Sequence, residues 1–152
     1  MIALDTNILA YAEQISDPLG RHKQANLLME QLTTGEHIIP VQVFAEFINA
    51  CRKKQLLSVA ASAAKVAFYA AVFETPNTQI GDVLLAAEFV ERFNFQFFDA
   101  VIVAVARRSG ATILLSEDMH DGLEINGLRI VNPFVAANDA LLADYFGSAL
   151  EG

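Results

Sequence analysis

The sequence predicts an α/β protein built on a short-stranded, mostly parallel sheet with helices on both faces. Three observations lead there. The candidate strands are short, continuous and apolar rather than alternating, the pattern of strands buried on both faces. Helical patterns separate them, as parallel strands require. The chain has 152 residues, 54% of them hydrophobic and 18% charged, which suits one domain with a real core and excludes intrinsic disorder.

Ile2-Ala3-Leu4 opens the chain as a buried strand, ended by Asp5-Thr6-Asn7. Ile8 to Ala12 is helical, and Asp17-Pro18-Leu19-Gly20 signals a turn. A helix starts at Arg21, with Ala25, Leu28, Met29 and Leu32 at helical spacing, and Thr33-Thr34-Gly35 stops it. His37-Ile38-Ile39 reads as a second strand closed by Pro40. Val41 to Lys54 is a helix with Val43, Phe44, Phe47, Ile48 and Cys51 facing inward. Ser58 caps a further helix to about Val72.

A minimal third strand is expected at Pro76-Asn77-Thr78. Gly81-Asp82 opens a helix whose stripe is Val83, Leu84, Ala87 and Val90. Phe97 to Arg108 is the most apolar helix and Gly110 ends it. Thr112 to Leu115 and Leu128 to Val131 are the last strands. Ala136 to Leu150 forms a terminal helix with Leu141, Leu142, Tyr145 and Phe146 on its apolar face.

The composition excludes several classes. A net charge of −8 argues against coating nucleic acid by bulk electrostatics, but leaves room for a cation held in an acidic pocket. One cysteine permits neither an internal disulfide nor a thiolate metal cage, and fits a reducing cytoplasm. Met1 to Ala12 lacks a basic signal-peptide start. Leu56 to Phe73 is apolar, but Lys65, Ser58 and Ser62 interrupt it, so no membrane span is expected. The low charged fraction points to apolar surface covered by a second subunit, hence a homodimer.

In open parallel sheets, ligands bind beyond the carboxyl ends of the strands. Asp5 and Asp118 each follow a predicted strand, and Glu46 lies on the helix that begins after the second one. Asp99 is an acid in the first turn of a helix that is otherwise apolar until its basic end. Each has an ordinary reading by itself: a cap, a solvated helix residue, an anion at a helix N-terminus, a turn residue. Together they converge on one sheet edge. Two like charges about 4 Å apart repel by roughly 4 kcal/mol at an effective dielectric near 20, so such a cluster calls for a cation. Carboxylate oxygens suit Mg²⁺ or Mn²⁺.

Leu4-Asp5-Thr6-Asn7-Ile8-Leu9, Ala45-Glu46, Phe98-Asp99-Ala100 and Leu115-Ser116-Glu117-Asp118 resemble, in order and spacing, the motifs of PIN-domain nucleases. The VapC-like toxins of bacterial toxin–antitoxin modules match best. The resemblance covers Met1 to about Phe134, which sets a PIN-like domain at 1–134 and a C-terminal helical extension of it at 135–152. It implies a three-layer α/β/α sandwich and an endoribonuclease dependent on Mg²⁺ or Mn²⁺. Structured RNA of the tRNA or rRNA class would be cut to a 3′-hydroxyl and a 5′-phosphate.

Carried over by position, Asp5, Glu46 and Asp99 would be the core metal-binding acids. Asp118 matches the acid of the fourth motif, with Glu117 and Asp121 as possible substitutes. Thr6, Asn7 and Ser116 would orient these acids. A cognate VapB-like antitoxin is implied as partner. Arg52, Lys53 and Arg107 are the candidate RNA contacts, in the basic spots Arg52-Lys53-Lys54 and Arg107-Arg108. Cys51 reads as core, His120 as surface, and His22 and His37 lack metal spacing.

Two other classes compete with this reading. A haloacid-dehalogenase-like phosphatase also places an Asp after its first strand, but needs a second Asp where Asn7 stands and a lysine absent between Thr112 and Gly122. A non-catalytic protein-binding module would need a broken acid set. A glycine-rich phosphate loop and a nucleophile elbow are both missing.

Overall fold

β1 (Ile2–Leu4) runs through the middle of the sheet. The computed structural model describes residues 1–13, 20–55 and 57–150. β1 pairs in parallel with β2 (Ile113–Leu115), which pairs in parallel with β4 (Leu128–Val131). On the other side of β1, Ile38 makes a parallel bridge to Ala3, and Glu74 makes one to Ile38. Every residue of β1 and β2 is buried. Side chains alternate between faces along a strand, so both faces of the sheet are covered.

Two strand expectations need correction, and one strand is new. The strand at residues 37–39 contracts to Ile38 alone, bridged on both sides, because Pro40 has no N–H to continue a ladder and instead leads into a helix. The third strand expected at 76–78 is a bridge at Glu74, just before Pro76. An unexpected two-residue strand, β3 (Glu124–Ile125), pairs antiparallel with β4. Asn126 and Gly127 turn between them at φ 47° and 89°, the left-handed geometry that Asn-Gly favours in hairpins.

The helices form two packed sets. α1 (Thr6–Glu13) packs on α2 (Arg21–Leu32) and α3 (Val41–Lys54), and α3 on α4 (Val59–Val72). α5 (Ile80–Phe93) packs on α6 (Phe97–Arg108), in which every residue from Ala100 to Ala106 is buried. The Ser58 hydroxyl accepts from Ala61 N at 3.1 Å and starts α4 as expected. No described helix is long and apolar enough to cross a membrane. Of the turn expected before α2, Asp17 to Leu19 lie outside the described residues.

α5 is rotated from its expected stripe. Its buried residues are Asp82, Ala86 and Phe89, while Leu84 is 64% exposed. A polar anchor sets the rotation. Asp82 accepts from Gln79 N at 2.8 Å and from Arg108 Nε at 2.9 Å and Nη2 at 3.0 Å. Turning the apolar stripe inward would expel this carboxylate from its donors. Past β4, a 3₁₀ turn (Ala136–Asn138) leads into α7 (Asp139–Leu150). The amide of Asn138 donates to Asp121 and to Asn132 O, Leu142 is buried, and the Tyr145 hydroxyl accepts from the terminal ammonium at 2.6 Å.

Candidate functional site

The parallel register puts the ends of β1 and β2 side by side, with Leu4 opposite Leu115. Asp5 N donates to Leu115 O at 3.0 Å, so the residues just past both strands share one edge. Asp5 is 4% exposed. Its Oδ1 accepts from Thr6 N at 2.7 Å, and its Oδ2 accepts from Ser116 Oγ at 2.7 Å and Asn7 Nδ2 at 3.2 Å. Burial pushes the Asp5 carboxyl up to about 6; the hydrogen bonds from Ser116 and Thr6 oppose this, and the charges of Asp99 and Glu46 add to it.

Glu46 reaches the same space from α3. It accepts from Thr6 Oγ1 at 2.7 Å and from Gln42 Nε2 at 3.1 Å. Gln42 Nε2 also donates to Phe98 O at 3.0 Å, tying α3 to the start of α6. Asp99, in the first turn of α6, is raised above the usual carboxylate range by burial, then by Glu46 and Asp118. Asp118 accepts from Asn7 Nδ2 at 3.2 Å, and its own N–H donates to Ser116 Oγ at 3.3 Å. Asn7 thus donates to two carboxylates.

Asp5, Glu46, Asp99 and Asp118 line one cleft of about 380 Å³, together with Thr6, Asn7, Tyr11, Cys51 and Lys54. A neighbouring opening of about 440 Å³ shares Asp99 and Asp118. Among the described residues, no three His, Cys, Asp or Glu side chains close around an ion by themselves. The four acids face shared, open space and offer oxygen alone. That chemistry suits a hard cation that keeps part of its water shell, rather than one needing a complete protein cage.

The other candidates separate cleanly. Glu117 pairs with Arg21, and Asp121 accepts from Asn132 N and Asn138 Nδ2, so Asp118 is the fourth-motif acid that lines the cleft. Arg52 is exposed and donates to Asn49 on its own helix; Lys53 is exposed and does not line the cleft. Arg107 is eight residues beyond Asp99, about 12 Å along the helix axis, and is not brought to the acids.

Lys54, Gln42 and Tyr11 were missed as site residues. Glu46, Ala50 and Lys54 form an i, i+4, i+8 row along the cleft, and Gln42 precedes Glu46 on the same row. His120 Nε2 pairs with Phe93 O at 2.9 Å and its ring lies on Phe95. Cys51 is a buried thiol on the cleft wall that burial pushes up, so it is a poor nucleophile.

The chain is an α/β domain with an acid cleft at one sheet edge, and comparison with known proteins assigns its family. The chain belongs to the PIN domain family, which it matches over residues 2–120. Solved structures share the fold. VapC20 of Mycobacterium tuberculosis, described as a sarcin-ricin loop cleaving toxin, superposes with a TM-score of 0.63 at 21% identity, covering 75% of this chain and 87% of that one. VapBC2 from Rickettsia felis, bound to promoter DNA, gives 0.63 at 20% identity, covering 87% and 98%. A toxin-antitoxin complex from Klebsiella pneumoniae gives 0.63 at 18% identity, covering 88% and 98%. No curated protein sequence matches the chain.

Proposed function

We propose that this chain is a divalent-metal-dependent endoribonuclease and the toxin of a toxin–antitoxin pair. One observation carries the reading: acids from four separate segments face one cleft, and the most buried of them, Asp5, is surrounded by donors that favour its ionised form. That arrangement is costly without a cation and useful with one.

Asp5, Glu46, Asp99 and Asp118 would hold Mg²⁺ or Mn²⁺, which when bound supplies an activated water and charge stabilisation at the phosphodiester. Ser116 and Thr6 orient Asp5, Thr6 and Gln42 orient Glu46, and Asn7 sets Asp5 and Asp118 relative to one another. Lys54 is placed to meet a phosphate flanking the cut. The sarcin-ricin loop specificity stated for the M. tuberculosis neighbour supports structured RNA of the rRNA or tRNA class.

An antitoxin partner is supported by the neighbours solved as toxin–antitoxin complexes. An arginine from it would fit among the four acids in a bidentate fork. Exposed Val41, Ile80, Leu84, Phe97 and Phe98 support a homodimer. Residues 135–152 are assigned to the same domain on the contacts of Asn138, Leu142 and Tyr145. The cytoplasm is the assigned compartment.

Incubation with total RNA, with Mg²⁺ or with EDTA, tests the reading. Discrete cleavage is expected with Mg²⁺ and none with EDTA or with Asp5→Asn. Equal cleavage by Asp5→Asn and the parent would refute it.

A further inference from the structure

The start of α2 breaks the local rule for helix N-termini. Arg21, His22 and Lys23 are its first residues, where the helix dipole disfavours cations, and its cap, Gly20, has no side chain to offer. Arg21 departs from the helix. Its guanidinium lies 5.6 Å from the Tyr11 ring centre and 5.4 Å from that of Phe134, donates to Tyr11 Oη at 3.2 Å and pairs with Glu117. Both charged side chains are largely covered, at 25% and 16% exposure.

Glu117 is held from its other side as well. Its N–H donates to Asn7 Oδ1 at 3.2 Å, and the amide nitrogen of Asn7 reaches Asp118 Oδ2 at 3.2 Å. The segment after β2 is therefore gripped at consecutive residues, with the Glu117 side chain drawn to α2 and the Asp118 side chain turned to the cleft. Releasing Arg21 would free a fifth carboxylate beside four others and loosen the aim of Asp118.

We propose that Arg21 is a positioning residue: by clamping Glu117 it fixes the Asp118 carboxylate toward the other acids. The inference rests on the reading of this cleft as a metal centre. Direct hydrogen-bond partners of metal ligands change metal affinity by about 10–100-fold when removed, and Arg21 acts one residue further out, so the effect lies below that range.

The test measures the Mn²⁺ dissociation constant of the full chain from the electron paramagnetic resonance signal of the free ion. Melting in EDTA is recorded alongside. Arg21→Ala should weaken Mn²⁺ several-fold, and Arg21→Lys should recover part of that. Glu117→Gln, which keeps the side-chain shape, should also weaken Mn²⁺. The Arg21→Ala/Glu117→Gln pair should be no worse than Arg21→Ala, the non-additivity of residues acting through one contact.

A merely structural role would lower the melting temperature in EDTA and leave the Mn²⁺ constant unchanged. Parental Mn²⁺ affinity in both Arg21→Ala and Glu117→Gln, with Asp118→Asn weakened, overturns the inference and leaves the metal centre standing. Parental affinity in Asp118→Asn itself overturns both. If Arg21→Ala does not fold, Glu117→Gln decides alone.

Discussion

Replacing Asp5 with asparagine removes a buried negative charge and little volume. The native carboxyl titrates at about 6 against an ordinary 3.8, a gap of about two units, with burial as the main cause. At 1.36 kcal/mol per unit, the ionised form is disfavoured in the fold by about 3 kcal/mol. The native state holds the proton more tightly than the unfolded chain. This penalty is therefore absent below pH 3.8, grows as pH rises, and is complete above pH 6.

Asparagine can still accept from Thr6 N–H, and Ser116 can turn to accept from its amide. The bond from Asn7 Nδ2 then meets a second donor and is lost. Asparagine hydrogen-bonds much as the protonated carboxyl does, and the bonds lost on neutralisation are already counted in the shift, so the net gain is about 2–3 kcal/mol. For a domain of this size that is a rise of roughly 4–12 °C in melting temperature. Circular dichroism melts in EDTA at pH 7.5 and pH 4.0 measure it. The difference between variant and parent should be positive at pH 7.5 and shrink towards pH 4.0, and titration of His37, common to both proteins, cancels. Adding Mn²⁺ at 100 times the dissociation constant should stabilise the parent by about 2.7 kcal/mol and the variant by far less. A loss of stability at pH 7.5, or a gain equal at both pH values, would refute the reasoning.

Two further outcomes follow from the same geometry. Lys54→Ala should raise KM for an RNA substrate several-fold at nearly constant kcat, while Lys53→Ala leaves both within twofold; steady-state cleavage of a fluorogenic oligonucleotide distinguishes them. Arg108→Ala should cost about 1–3 kcal/mol in urea unfolding, because it strips the bidentate partner from the buried Asp82 carboxylate; the Asp82→Asn/Arg108→Ala double variant should recover part of that loss.

How far the sequence alone reached depended on how far apart the deciding residues lie. Asp5 was legible because a buried strand ends one residue earlier, and strand direction then fixes the edge. Asp99 was legible because no other charge interrupts its helix before Arg107. The hairpin at Asn126-Gly127 had a local signal that was overlooked, since Glu124–Ile125 is too short to show a period. The rotation of α5 had only half of one: Asp82 caps its own helix through Gln79 N, but its other partner, Arg108, is distant in the chain. The same holds for the fourth motif: three neighbouring acids are equivalent as letters, and only Arg21 and the C-terminal Asn132 and Asn138 remove two of them from the cleft. On a wheel drawn from Glu46, Lys53 lies about 20° off and Lys54 about 80° off, yet Lys54 lines the cleft, because the cleft follows the i, i+4, i+8 row.

Gln42 carries a consequence of another kind. Its single amide links α3 to α6, donating to Glu46 on its own helix and to the backbone of Phe98. The approach of α3 to the start of α6 is thus tied to the length of one uncharged side chain. Asparagine there, one methylene shorter, must draw the helices together or let go of one side. Helix spacing and the aim of Glu46 thus both answer to position 42, although no acid changes there.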